Sequence, residues 1–189
     1  MYRYNLYGCI SGRQASLKED MRLMWLQHVY WTRMLLISIA EHLKDLEDVT
    51  ARLLQNPRDI ADIFAQFYRI ESTNEIRQLL TVHLEIGADL ITALRDNENE
   101  KAEELDRRWY INADEMSGAF SSINPYYEYS DMREMFYTHL DLTKIEVAKR
   151  LAGSYKKDIE AFDAVEREAI MMADVFTDGI VKQFSGKFS

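Results

Sequence analysis

Proline and glycine are the residues that break helices and build tight turns. This chain has two prolines and seven glycines among 189 residues. A many-stranded sandwich or barrel needs turn formers about every 8–12 residues, and this sequence cannot supply them. Both prolines stand in Asn-Pro steps, Asn56-Pro57 and Asn124-Pro125. The residue before a proline resists the α conformation, so each step closes one helix. Proline's fixed φ then suits the first turn of the next. Hydrophobic residues make up 47%, too many for a disordered chain and enough for a core. The expectation is an all-α protein.

Apolar residues recur with the 3.6-residue period from about Ser16 onward. Met24, His28, Trp31, Leu35 and Ile39 make the first stripe, and a shorter helix runs from Asp45 to about Gln55. Ile60, Ile63, Phe64 and Phe67 follow Pro57. Ser72 or Thr73 is placed to cap a helix carrying Ile76, Leu80, His83, Gly87, Leu90 and Leu94. Asp96 to Glu100 is a polar turn. Leu105, Trp109, Asn112, Met116 and Phe120 form the next stripe. Ser130 is placed to cap a helix with Met132, Phe136, His139, Thr143 and Glu146 inward, and Gly153-Ser154 ends it. Ile159, Phe162, Glu166, Ala169, Ala173, Phe176 and Ile180 mark the last helix, to about Phe184. Five major helices and two short ones imply an up-down bundle, ferritin-like or related, over residues 16–189. Residues 1–15, with three tyrosines, two glycines and two arginines but no helical period, read as a flexible tail.

The net charge is −9. A field of that sign repels phosphate backbones, and no basic stripe offsets it, so nucleic acid is not an expected partner. The single cysteine, Cys9, excludes an internal disulfide and any paired-cysteine metal site. No apolar run approaches the roughly 20 residues that span a bilayer, and the expected location is the cytoplasm.

Three segments share a pattern: RLMWLQHVYWT, RQLLTVHLEIG and REMFYTHLDLT. They begin at Arg22, Arg77 and Arg133, and each places a histidine six residues later: His28, His83 and His139. The intervals between histidines are 55 and 56 residues, which points to a helical hairpin used about three times. The arginines fall about 120° from the histidine face at roughly 100° per residue, so they are expected to pair with acids on neighbouring helices.

His28, His83, His139, Asn112, Glu146 and Glu166 are polar residues on apolar stripes. An unpartnered buried polar group costs about 1–3 kcal/mol, so these should meet one another, water or a ligand. Three imidazoles with Glu166 or Glu146 as the anionic ligand would suit Zn²⁺ or Fe²⁺. Against this, no Glu-x-x-His or His-x₃-His pair places two ligands on one helix. Satisfied core histidines, or a polar pocket lined by Asn112 and Trp109, fit the same residues. His42, beside Glu41 at a helix end, is expected to be solvated. GxSxG, Walker-type, GxGxxG and HExxH signatures are all missing.

The segments Gln27–Met34, Ala51–Pro57, Arg108–Glu115, Ser122–Tyr127 and Met172–Phe176 resemble a family of small all-helical bacterial proteins, over nearly the whole chain beyond the tail. The resemblance implies an all-helical fold and carries no site residues. Some members bear the label acetylglutamate kinase. An amino-acid kinase is a larger α/β protein that grips phosphates with glycine-rich loops, and a chain with seven glycines argues against that activity. The sequence alone therefore favours a non-enzymatic bundle with a structural or protein-association role, a homo-oligomer being one form of it. The alternatives are a ferritin-like metal-binding bundle and a small polar ligand binder.

Overall fold

The computed structural model describes residues 11–188. It is built of helices: α1 (Gly12–Ala40), α2 (Leu46–Leu53), α3 (Asn56–Phe64), α4 (Ile70–Arg95), α5 (Asn99–Ile123), α6 (Tyr129–Leu151) and α7 (Tyr155–Gln183), with a one-turn 3₁₀ segment at Ser185–Lys187. Five are long and two short, and no strand occurs among the described residues. Residues 96–98, 124–128 and 152–154 are the only links between α4, α5, α6 and α7, and links that short fold consecutive helices back against each other. The packing is a ring in which α4 meets α5, α5 meets α6, α6 meets α7, and α7 returns to α1. The short α2 and α3 pack on α1 and α4 respectively, α3 touching both, and α1 also reaches α4 and α6 directly. Among the described residues no helix is long and apolar enough to cross a membrane.

Three boundaries differ from the sequence expectation. Residues 12–15, read as part of a tail, are helical: Ser11 accepts a hydrogen bond from the Gln14 amide and α1 starts at Gly12. Residues 1–10, with Cys9, lie outside the described residues. Helix α4 begins at Ile70 rather than after Ser72 or Thr73, because Thr73 donates back to the Ile70 carbonyl from inside the first turn. Helix α6 likewise begins at Tyr129, with Ser130 already inside it. The Asn-Pro steps behave as read in part: Pro57 stands in the first turn of α3, but Asn56 is already that helix's first residue and α2 has ended at Leu53; α5 stops at Ile123 with Asn124 extended, and α6 starts four residues after Pro125, at Tyr129.

Aromatic rings fill one end of the bundle, where Phe64, Phe120, Phe136 and Phe176 meet with Trp25 stacked on Phe176 at 5.2 Å. A second, smaller apolar cluster contains Leu35, Leu36, Ile39, Leu53, Leu84 and Ile91. On α1 the first cluster ends at Val29 and the second starts at Leu35. His28 stands at that junction.

Two of the repeated arginines do pair across helices. Arg22 forms a bidentate ion pair with Asp174 of α7, and Arg133 bonds Asp114 of α5 at 2.7 Å. Arg77 is exposed. His42 is also exposed and takes a left-handed φ of 53° at the end of α1.

The loop between α5 and α6 is anchored by Tyr127, whose buried hydroxyl donates to the Phe176 carbonyl at 2.6 Å. Its ring lies against the backbone of α7 at Gly179, where any β-carbon would overlap it. In an unobstructed helix interior, Gly→Ala stabilises by roughly 0.5–1 kcal/mol. Here the sign reverses: Gly179→Ala is expected to destabilise by about 1–3 kcal/mol in urea unfolding. A stabilised variant would show that the Tyr127 ring does not occupy this position.

Candidate metal centre

His28, His83 and His139 project from the middles of α1, α4 and α6 and converge. Their ring centroids lie 5.6, 5.9 and 6.2 Å apart, and one nitrogen of each lies within 4.8 Å of the other two. All three side chains are buried, the residues being 2%, 3% and 4% exposed. Among the described residues they form the one group of three or more ligating side chains this close together.

Each histidine has a polar residue beside it from a later helix: Asn56 of α3, Asn112 of α5 and Glu168 of α7. His28 Nδ1 meets Asn56 Oδ1 at 3.0 Å, and Asn56 Nδ2 donates to the Met24 carbonyl at 2.9 Å. That second bond orients the amide, so the imidazole faces an acceptor and Nδ1 must carry the proton. His139 Nδ1 meets a Glu168 carboxylate oxygen at 2.9 Å, which assigns the same tautomer. With that tautomer a neutral ring keeps a bare lone pair on Nε2. Around His83 the third partner is Asn112. Its Nδ2 donates to the Leu79 carbonyl at 3.1 Å, while its Oδ1 and His83 Nδ1 remain buried without a hydrogen bond. The Asn112 side chain nonetheless favours a proton on His83.

Burial keeps His28 and His83 neutral. It pushes His28 down from the usual imidazole range to about 3, helped by repulsion from His139 and opposed by the bond to Asn56. Burial again comes first for His83, held well below its ordinary value, with repulsion from both other histidines adding to it.

The residue four positions after each histidine lines, with the rings themselves, a small cavity: Thr32, Gly87 and Thr143. Thr32 and Thr143 donate to the carbonyls of His28 and His139, each at 2.8 Å. Gly87 has no side chain to do so, and the Trp109 indole N–H donates to the His83 carbonyl at 3.0 Å instead. A β-carbon at position 87 would come within 3.3 Å of that indole. Glycine at 87 and tryptophan at 109 are therefore a matched pair.

The carboxylates anticipated as ligands lie elsewhere. Glu146 is buried but pairs with Arg33, which also binds Asp158 at 2.7 Å. Two acids share that guanidinium, and burial raises Glu146 to about 7 despite Arg33. Glu166 accepts from Tyr30 at the half-buried edge of α7. The buried acid beside the histidines is Glu168, two residues further on. Ile159, expected inward, is exposed, and Asp158, Val165 and Met172 take the inner face. Asn112 and Trp109 do stand at the histidine site, as supporting residues.

Asn56 and Glu168 were not singled out in the sequence. The signal was present: Asn56 and Glu168 follow their histidines by 28 and 29 residues, and Asn112 follows His83 by 29. Extending the histidine period to the other polar residues would have found all three.

The fold and site together define an all-helical bundle with a buried three-histidine cluster. No family model, curated protein or solved structure matches this chain.

A base whose pKa falls on folding makes the folded state bind fewer protons than the unfolded chain. Stability from neutral His28 is therefore present above about 6.5 and is lost as pH falls toward about 3. In metal-free protein the His28 ring signals in proton NMR should stay unshifted down to about pH 5. Movement centred near 6.5 would contradict the buried, neutral ring.

Proposed function

We propose that this protein is a metal-binding helical bundle that holds one divalent ion, Zn²⁺ or Fe²⁺, on His28, His83 and His139. The observation that carries the reading is electrostatic. Two tautomers are assigned by Asn56 and Glu168 so that lone pairs, and no protons, face the centre of the cluster. Neutral nitrogens repel one another there, and a cation removes the repulsion.

The donor set fits such an ion. If the three nitrogens form a triangle of side 4.8 Å or less, an ion at its centre lies at most roughly 2.8 Å from each. Contraction by about 0.7 Å per ring reaches the 2.0–2.1 Å of a zinc–imidazole bond. Imidazole suits zinc and ferrous iron alike. Hydrogen bonds from the second ring nitrogen to a carboxylate or carbonyl are the usual means of orienting such ligands and strengthening them. Glu168 also supplies the negative charge that three neutral ligands lack. The set differs from carboxylate-rich di-iron bundles, whose ligands come partly as Glu-x-x-His pairs. Placement of each ligand on a separate long helix, with a partner 28 or 29 residues later, supports a thrice-used helical hairpin as the unit that builds the site.

A structural or associating bundle would be served better by Leu or Met at these three positions, since buried polar groups are neutral to stability only when fully paired. The small-ligand alternative needs a cavity of a few hundred Å³ beside Asn112 and a histidine. The chamber at the histidines holds about 20 Å³.

Protein prepared without a histidine tag should bind one Zn²⁺ or Fe²⁺ per chain and melt at a higher temperature when loaded. His83→Asn should abolish both effects. Glu168→Gln should weaken binding about 10–100-fold through His139, while Glu166→Gln leaves it unchanged. Stoichiometry near zero in elemental analysis, with no thermal shift, would refute the metal site. Equal losses in the two glutamate variants would remove the role given to Glu168.

A further inference from the structure

The three histidines are 2%, 3% and 4% exposed, and a buried metal site needs a way in. Apolar side chains close much of the surroundings. Trp25 packs 5.6 Å from the His28 ring and stacks on Phe176, and Leu35, Leu53, Leu84 and Ile91 border the rings elsewhere. A divalent ion crossing either wall would shed its water against hydrocarbon, which is strongly unfavourable. Asn56 and Asn112 are polar but uncharged, and each donates to a backbone carbonyl, of Met24 and Leu79. Glu168 is the acid bonded to a histidine.

Glu168 belongs to two places at once. One carboxylate oxygen meets His139 Nδ1 at 2.9 Å, and the residue, itself 3% exposed, lines an open groove of about 370 Å³ between α6, α7 and the loop before α6. Glu128, Asp131 and Glu134 line the same groove, and no lysine, arginine or histidine does. Arg133, between two of these acids in sequence, pairs with Asp114 of α5. Lys182 stands near the rim, 5.9 Å from the Tyr126 ring. A cleft lined by one sign of charge concentrates counter-ions. An ion with six waters, at about 30 Å³ each, takes about 180 Å³ and fits. One carboxylate and one imidazole then separate the groove from the centre of the cluster.

Resting on the metal reading above, we propose that the groove between α6 and α7 is the route by which the divalent cation reaches the histidines, with Glu168 handing it to the cluster. The exposed acids gather the hydrated ion and Glu168 draws it to the groove floor. The His139 ring stands between, so the ion crosses as that ring turns away from its hydrogen bond and back. Metal–water bonds break as metal–nitrogen bonds form, and no electron is transferred.

The test follows Zn²⁺ loading and release in full-length, tag-free protein by stopped flow with a chromophoric chelator. The exposed pair Asp131→Asn with Glu134→Gln should slow loading about tenfold at low ionic strength, and the difference should shrink as salt is added. Glu47→Gln with Asp48→Asn, which removes the same charge from exposed sites on α2, should leave loading unchanged. Val175 lines the groove and is 43% exposed. Val175→Trp should slow loading and release by the same factor and leave affinity unchanged, since an obstacle on a route acts in both directions. Met171→Trp, at a groove position 60% exposed, serves the same purpose if the first variant does not fold. Wild-type rates in the folded groove variants, or equal slowing in the α2 control, would overturn the route and leave the metal site standing. Failure of the wild type to take up Zn²⁺ would overturn the metal reading and this inference with it.

Discussion

Three imidazole rings buried within 4.8 Å of one another at their ligand atoms are the constraint around which the bundle is arranged. Neutral rings at that distance turn lone pairs toward each other, and protonating them in a dry interior is costlier still. The bundle meets this by giving each histidine a polar residue from a later helix, α3, α5 or α7. Asn56 and Glu168 make their hydrogen bonds, and Asn112 stands beside His83 with its own amide N–H groups anchored to α4. The long helices do not merely enclose an apolar core. They hold six polar side chains in one layer, between an aromatic cluster and a smaller aliphatic one.

Variation among the three copies of the pattern follows from packing. Threonine four residues after His28 and His139 caps each histidine carbonyl from within its own helix. At the corresponding place after His83 a glycine lets Trp109 approach, and the indole takes over the hydrogen bond. The first partner helix is interrupted where the others are continuous: Asn56 stands at the start of α3, just before Pro57, whereas Asn112 and Glu168 lie mid-helix. A residue that opens one helix thus also delivers its amide to a histidine.

Much of the fold was legible in the chain. The paucity of proline and glycine, the Asn-Pro steps and the 3.6-residue stripes gave the number and order of helices, because these are local effects. The histidines were legible as a set through their spacing and their place on apolar faces. Their convergence was not, since it depends on how α1, α4 and α6 rotate against one another. The acid was misplaced for a related reason. On α7 an apolar stripe can be drawn through Ile159, Phe162 and Glu166 or through Asp158, Phe162 and Val165. Only the buried Arg33–Asp158 pair, a contact between residues 125 positions apart, selects the second. That choice turns Glu168 inward and leaves Glu166 at the edge with Tyr30.

The most direct measurement is X-ray absorption at the metal edge on tag-free protein loaded with one equivalent of Zn²⁺. The account predicts a first shell with three imidazole nitrogens at about 2.0–2.1 Å and the outer-shell scattering pattern of histidine rings. It also predicts loss of one ring's contribution in His139→Asn. A shell of oxygen alone, or a spectrum indifferent to that substitution, would contradict it.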